Sequence, residues 1–388
     1  MNWKLMENAI SFKDKLNLAK FILTSNSFTN GTKVKQLENE WNSWLGSEYS
    51  LFVSSGSTAN FLLISAIKEL YGLKSGDKVL VPSCTWMTNV APVIQLGLKP
   101  IFCDIQLQDF SFDESQLVKI SKKHKDIKLI FVTHLLGFTS LSRDSGLLQK
   151  LFPKAYIIDD VCESHGCKSH DGTKIGSNSL GATFSTYFGH HLTSIEGGFV
   201  STNNVDLYDL MKMKRSHGMA RESLHFKKYA EKYSDIDSAF LFITDGYNFR
   251  NTEISAVLGS SQLKKLDTSI EIRNDNFQFF CEILNNYSDK ICPISYTNCA
   301  SNFCLPLICK SKNIKESLEY KLIENHIEYR PIVSGNILKH PFLQNYKIEP
   351  KETPYFVDMI HECGIYIGNN QFIGERNLNL LNTILESL

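Results

Sequence analysis

The sequence predicts an α/β protein: one large domain on a mostly parallel sheet, then a smaller C-terminal α/β domain. Three observations carry this. Short apolar runs alternate with helical patterns through the first two-thirds of the chain, as a helix-covered parallel sheet requires. Near Asp267 the texture changes to a helical stretch followed by short strands and helices. The length of 388 residues exceeds one average domain, and an apolar fraction of 43% is ample for a packed core. We divide the chain into residues 1–260, with the N-terminal helix in the large domain, and residues 261–388.

The elements follow in order. The run SLFV (50–53) leads into Ser54-Ser55-Gly56-Ser57-Thr58-Ala59-Asn60, which opens a helix carrying Leu62, Leu63, Ile67 and Leu70 at helical spacing. KVLVP (78–82), KPIFCD (99–104), KLIFVTH (128–134), AYIIDD (155–160) and ATFSTYF (182–188) read as strands. Beyond Asp267, SIEIRNDNFQFFCEIL (269–284) reads as a helix and FCLPLIC (303–309) as a strand.

Composition removes several function classes. Lys plus Arg equals Asp plus Glu at 41 each, so nothing favours nucleic acid or an anionic membrane. The first twenty residues lack an apolar core of signal-peptide length, and no later stretch is long enough to span a bilayer, so a cytoplasmic protein is expected. The ten cysteines include no C-x-x-C pair. Cys299, Cys304 and Cys309 form the densest group, but an odd separation on a strand turns Cys304 and Cys309 to opposite faces. Buried thiols in a reducing compartment are expected, with no metal site.

Three segments carry chemistry. In the first, the small residues around Gly56 and Ser57 let backbone N–H groups approach an anion at a helix N-terminus; a simple helix cap has the same composition. In the second, Ile157-Ile158-Asp159-Asp160 ends a strand in two carboxylates, where a parallel sheet places its ligands; a pair of solvated loop acids reads the same way. The third is Phe184-Ser185-Thr186-Tyr187-Phe188-Gly189-His190-His191, followed by Glu196-Gly197-Gly198.

This third stretch resembles the DegT/DnrJ/EryC1/StrS family of sugar-nucleotide aminotransferases. They carry a serine five residues before a catalytic lysine and an acid-Gly-Gly about six residues after it. Both spacings fall on His190, and His191 is left as a packing or loop residue. The segments Arg215–Gly218, Asp245–Ile254, Gln262–Asp267, Tyr329–Asn336 and Gly364–Asn369 are similar to later family signatures, in the same order.

The resemblance implies a fold-type I, aspartate aminotransferase-like architecture and pyridoxal 5′-phosphate or pyridoxamine 5′-phosphate as cofactor. Histidine cannot tether the cofactor as lysine does, but it can move a proton. That is the pattern of the family's sugar 3-dehydratase branch, which removes a C3 hydroxyl with glutamate as amino donor. By matching position, His190 is the base; Gly56, Ser57 and Ser185 hold the phosphate; Trp86 stacks on the ring; Asp160 pairs with the ring nitrogen; and Glu163 lies near the phenolic oxygen. Asn248 reaches the partner subunit's phosphate, which implies a homodimer. His217, Arg250 and Arg330 are weaker candidates for the substrate side, the arginines for carboxylates or as structural ion pairs. A second 3-dehydratase branch, acting on CDP-sugars, holds an iron–sulfur cluster, with cysteines largely just after the His-Gly motif. The segment 217–250 contains none. This implies no cluster and a GDP-linked 4-keto-6-deoxy sugar as substrate. An aminotransferase working without a tether and a non-catalytic binding member are the rival readings.

Overall fold

The computed structural model describes residues 2–140, 143, 146–295, 297–346, 348 and 354–388. Its large sheet contains β1 (Tyr49–Val53), β2 (Lys78–Pro82), β3 (Lys99–Cys103), β4 (Ile127–Thr133), β5 (Tyr156–Asp160), β6 (Ala182–Ser185) and β7 (Gly198–Thr202). They lie in the order β1-β7-β6-β5-β4-β2-β3. The pairs from β3 through β6 are parallel, and β7 runs antiparallel to both of its neighbours. All four residues of β6 and all five of β7 are buried, so these runs are not the alternating kind that a one-sided sheet produces.

The predicted strands are found with their ends within one residue, except ATFSTYF. That strand stops at Ser185 because the next residue turns to a different partner: Thr186 N–H donates to Gly197 O at 2.9 Å, and Ser194 N–H to Thr186 O at 2.9 Å. The closure creates a loop that carries residues 187–191 out of the sheet. In the Gly56–Leu70 helix, Leu62, Leu63 and Ile67 are buried as predicted, whereas Leu70 is 37% exposed in the last turn.

The small sheet contains β8 (Cys304–Ile308), β9 (Tyr329–Pro331) and β10 (Gly364–Gly368), ordered β8-β10-β9 and antiparallel throughout. Its core gathers Phe277 and Phe280 from helix Leu266–Asn285, Leu318 and Leu322 from Lys312–Glu324, and Leu381 from Glu375–Glu386. The 260/261 division falls inside helix Glu253–Leu263, and the start of the chain crosses it, since Trp3 belongs to this same small-sheet core. Among the described residues no helix is long and apolar enough to cross a membrane.

Candidate active site

Loops leaving the carboxyl ends of β2, β4, β5 and β6 converge with the small sheet on a cavity of about 340 Å³. Gly56, Ser57, Trp86, Asp160, Glu163, Ser185, His190 and Arg330 all line it. Eight residues expected from separate stretches of sequence therefore meet in one place.

The anion cradle follows from local hydrogen bonding. Ser55 caps the Gly56–Leu70 helix in a capping box: its Oγ accepts from Thr58 N–H at 3.1 Å, and Thr58 Oγ1 accepts from Ser55 N–H at 3.0 Å. The intervening amides of Gly56 and Ser57 have no acceptor among the described residues. They are two free donors at the positive end of a 15-residue helix. Ser185 lies against this turn. A Cβ on Gly56 would stand 2.7 Å from Ser185 Cβ and 3.1 Å from Cys162 Sγ, so only glycine permits the approach.

The two carboxylates ending β5 divide between the faces of the sheet. Asp160 Oδ2 accepts from Asn60 Nδ2 at 2.9 Å and Asn89 Nδ2 at 2.8 Å, and its Oδ1 accepts from Cys162 N–H at 2.9 Å. Asn60 Oδ1 in turn accepts from Thr183 Oγ1 at 2.6 Å, and Asn89 Oδ1 from Thr85 Oγ1 at 2.9 Å. The carboxylate is thus held in one orientation at the cavity wall. Asp159 meets His134 Nε2 at 3.1 Å and Arg143 Nε at 3.3 Å. Burial pushes its carboxyl up, but Arg143 and then His134 outweigh burial and hold it down at about 2. It is a structural ion pair.

Glu163 shows the opposite balance. Burial raises it most; one amide, Leu136 N–H at 3.0 Å from Oε2, pulls it down; and the charge of Asp160 raises it again. The result is a carboxyl lifted to about 7, able to donate or accept a proton near neutrality.

His190 sits in the loop after β6, partly buried, with its ring 5.4 Å from that of Phe303 and 6.0 Å from that of Tyr187. Its buried Nδ1 has no hydrogen-bond partner among the described residues. Burial, and secondly the positive charge of Arg273, lower its pKa to about 4, so the imidazole is neutral at pH 7 and free to accept a proton. His191 also borders the cavity, but its Nε2 is 3.0 Å from Ser301 O, a tie that holds the ring to the loop before β8.

Arg330 faces Tyr366 directly across the β9–β10 pair, and both residues line the cavity. Asn248, His217 and Arg250 are not among the lining residues. Asn248 and His217 are exposed and Arg250 is half-buried, and they lie close together: Ser216 bridges Asn248, and His217 N–H donates to Tyr247 O at 2.9 Å. All but two of the cysteines, Cys162 and Cys299, are buried. Sequence reading missed Asn60, Asn89, Arg273 and Tyr366. Asn60 left a signal, a polar residue on the buried face of an apolar helix; Arg273 and Tyr366 left none.

Matched against known proteins, residues 11–365 fit the DegT/DnrJ/EryC1/StrS aminotransferase family. The chain belongs to that family. Among its relatives, a GDP-4-keto-6-deoxy-D-mannose 3-dehydratase of Yersinia pseudotuberculosis is 35% identical over 383 residues, 95% of each chain. A solved GDP-4-keto-6-deoxymannose 3-dehydratase, a histidine-to-asparagine mutant with bound GDP-perosamine, superposes with a TM-score of 0.89 at 29% identity, covering 99% of this chain and 100% of that one. The 3-dehydratase with a trapped PLP-glutamate geminal diamine gives 0.87 at 28% identity, with the same coverage. The fold is therefore the PLP-dependent transferase fold that the family resemblance implies.

Proposed function

We propose that this protein is a pyridoxal/pyridoxamine phosphate-dependent 3-dehydratase acting on a GDP-linked 4-keto-6-deoxy sugar, with glutamate as amino donor. The observation that carries the reading is His190: the residue presented to the cavity by the loop after β6 is a neutral imidazole with a free nitrogen, where a tethering enzyme needs an amine. The chain fits the cofactor on its own evidence. The free amides of Gly56 and Ser57, with the Ser185 hydroxyl beside them, suit a phosphate; the fixed Asp160 carboxylate suits a protonated ring nitrogen; and Trp86, 56% exposed on the wall, offers a face to stack.

When bound, the pyridoxamine form supplies an amine for the sugar's 4-keto group and an electron sink through which the C3 hydroxyl departs, and glutamate restores that amine. The protein's part is positional and protonic. Asp160, locked by Asn60 and Asn89, keeps the ring nitrogen protonated. His190 removes and returns the proton at the C4′ carbon. Glu163, with a pKa near neutrality, shares a proton with the phenolic oxygen, and Arg330 receives a glutamate carboxylate. Asn248, with His217 and Arg250 near it, serves the site of a partner subunit in a homodimer; a monomer fully active at high dilution would overturn that assignment. We place the reaction in the cytoplasm, in 3,6-dideoxy sugar synthesis of the colitose type for lipopolysaccharide or capsule.

The test is to incubate the protein with GDP-4-keto-6-deoxy-mannose, pyridoxal phosphate and glutamate, and to identify the product by mass spectrometry. A 4-keto-3,6-dideoxy sugar is expected. An amino sugar would mean a tetherless aminotransferase instead.

A further inference from the structure

The first ten residues do more than begin the chain. Trp3 is 1% exposed in the small-sheet core; its Nε1 donates to Gly368 O at 2.9 Å, and its backbone bridges Ile327. Trp3 N–H donates to His326 O at 3.0 Å, Glu328 N–H donates to Trp3 O at 2.8 Å, and Leu5 N–H donates to Glu328 Oε2 at 3.0 Å. That end is stapled to the small sheet.

The other end is stapled to the segment around helix Glu253–Leu263, whose Ala256 and Leu263 pack with Phe184 and Phe199 of the large sheet. Asp14 Oδ2 lies 2.6 Å from Lys265 Nζ and 2.9 Å from Gln262 Nε2, and Gln262 Nε2 also donates to Ala9 O at 3.3 Å. Ser11 completes a capping box with Asp14. Between the staples the chain crosses the active-site cavity, and Leu5, Met6, Glu7 and Ala9 form part of its wall.

Met6 makes the decisive contact. A Cβ built on Gly189 would overlap Met6 Sδ and stand 3.1 Å from Met6 Cγ. The thioether therefore fills the space where a side chain at 189 would go, directly against the residue that precedes His190. Small shifts of a catalytic group are costly: about 1 Å of misplacement can lose about 10²-fold in rate. The loop itself is held by backbone bonds at Thr186 and by the His191 tie, and on its cavity side by the strap.

We propose that the N-terminal strap is part of the active site, and that Met6 is a positioning residue that sets His190 through its contact with Gly189. The inference rests on His190 being the base. It also accounts for a glycine at 189, since any side chain there would compete with Met6 for the same volume.

The experiment compares Met6→Ala, Met6→Leu and the wild type by hydrogen exchange of amides 188–191, by thermal midpoint, and by the single-turnover rate at which glutamate aminates bound pyridoxal phosphate. Met6→Ala is expected to speed exchange in that loop and to slow amination about tenfold or more while the thermal midpoint holds. Met6→Leu, which refills most of the volume, should recover most of both effects. Unchanged exchange in Met6→Ala, or faster exchange with an unchanged rate, would overturn the proposal. So would a slow Met6→Ala variant that Met6→Leu does not rescue. Exchange needs no substrate. If the wild type fails to react with glutamate, the functional reading has failed, and exchange alone decides the Met6–Gly189 contact.

Discussion

The cavity has two walls built on different principles. On the large-domain side, the site residues lie within about five residues of a parallel strand's carboxyl end or of a helix start, and hydrogen bonds fix the central ones: Gly56 and Ser57 through a capping box, Asp160 through two asparagines. On the other side, Arg330 and Tyr366 project from an antiparallel sheet, and the strap arrives from the opposite end of the chain. The first wall is held at several points within the large sheet and its helices, by the capping box at Ser55 and by the asparagines on Asp160. The second depends on contacts across more than 300 residues, such as Trp3 to Gly368. The difference assigns roles: the first wall suits the chemistry on the cofactor, and the second suits substrates that come and go.

The largest effect should come from the first wall. His190→Asn is expected to keep cofactor binding, because phosphate and ring contacts come from other residues, yet to lose about 10²–10⁴ in both proton-transfer half-reactions. His190→Lys should make the cofactor trappable by borohydride as a covalent adduct, while deoxygenation falls sharply. His191→Asn should be much milder, its role being the tie to Ser301. A fast His190→Asn beside a dead His191→Asn would move the base one residue along.

The second wall should show itself in binding. Arg330→Lys keeps the charge but loses the planar fork that faces Tyr366 across β9–β10. The expected result is a KM for glutamate raised about tenfold with kcat little changed, the signature of lost ground-state binding. Steady-state kinetics with glutamate varied at saturating sugar decides it. A fall in kcat at constant KM would erase the division of labour between the walls.

The same contrast explains what the sequence disclosed. Gly56, Ser57 and Asp160 were legible as candidates from strand and helix context, with a cap and solvated acids reading equally well, and Ser185 and His190 from spacing that resembles the family motif. The strands were legible from their apolar runs, but the end of ATFSTYF was not, because it is set by a bond from Thr186 to a residue eleven positions on. Arg273, buried and donating to Phe303 O and Asn369 O, looks in sequence like any charged residue on a long helix. Tyr366 enters the site only because β10 pairs with β9 in one register. Asn248, Arg250 and His217 lie together outside the cavity, Asn248 and His217 exposed and Arg250 half-buried, and the use proposed for them needs a second subunit, which one chain's spacing does not place.

Glu163 lies where the walls meet, beside Asp160 on one side and with Cys304 and Tyr366 on the other, and it gives the smallest and most selective prediction. Its pKa in the folded protein is about 7 against an ordinary 4.5, raised mainly by burial. A raised folded pKa means a contribution fully present below about pH 4.5 and lost as pH climbs to about 7, since the unfolded chain ionises first. Glu163→Gln does not titrate. The cofactor-free variant should therefore gain on the wild type as pH rises from about 5 to 8, and the gap should level off above the folded pKa. The full shift would be worth about 3 kcal/mol, and water on the cavity side reduces it to about 1–2 kcal/mol. Urea midpoints of both proteins at four pH values measure the gap directly, because every other titrating group is common to both. A gap that stays flat with pH would show that Glu163 ionises normally, and would remove it as the proton partner of the phenolic oxygen. Repeating the series in an Asp160→Asn background separates the causes. Burial is the larger, so most of the pH dependence should survive loss of the neighbouring charge.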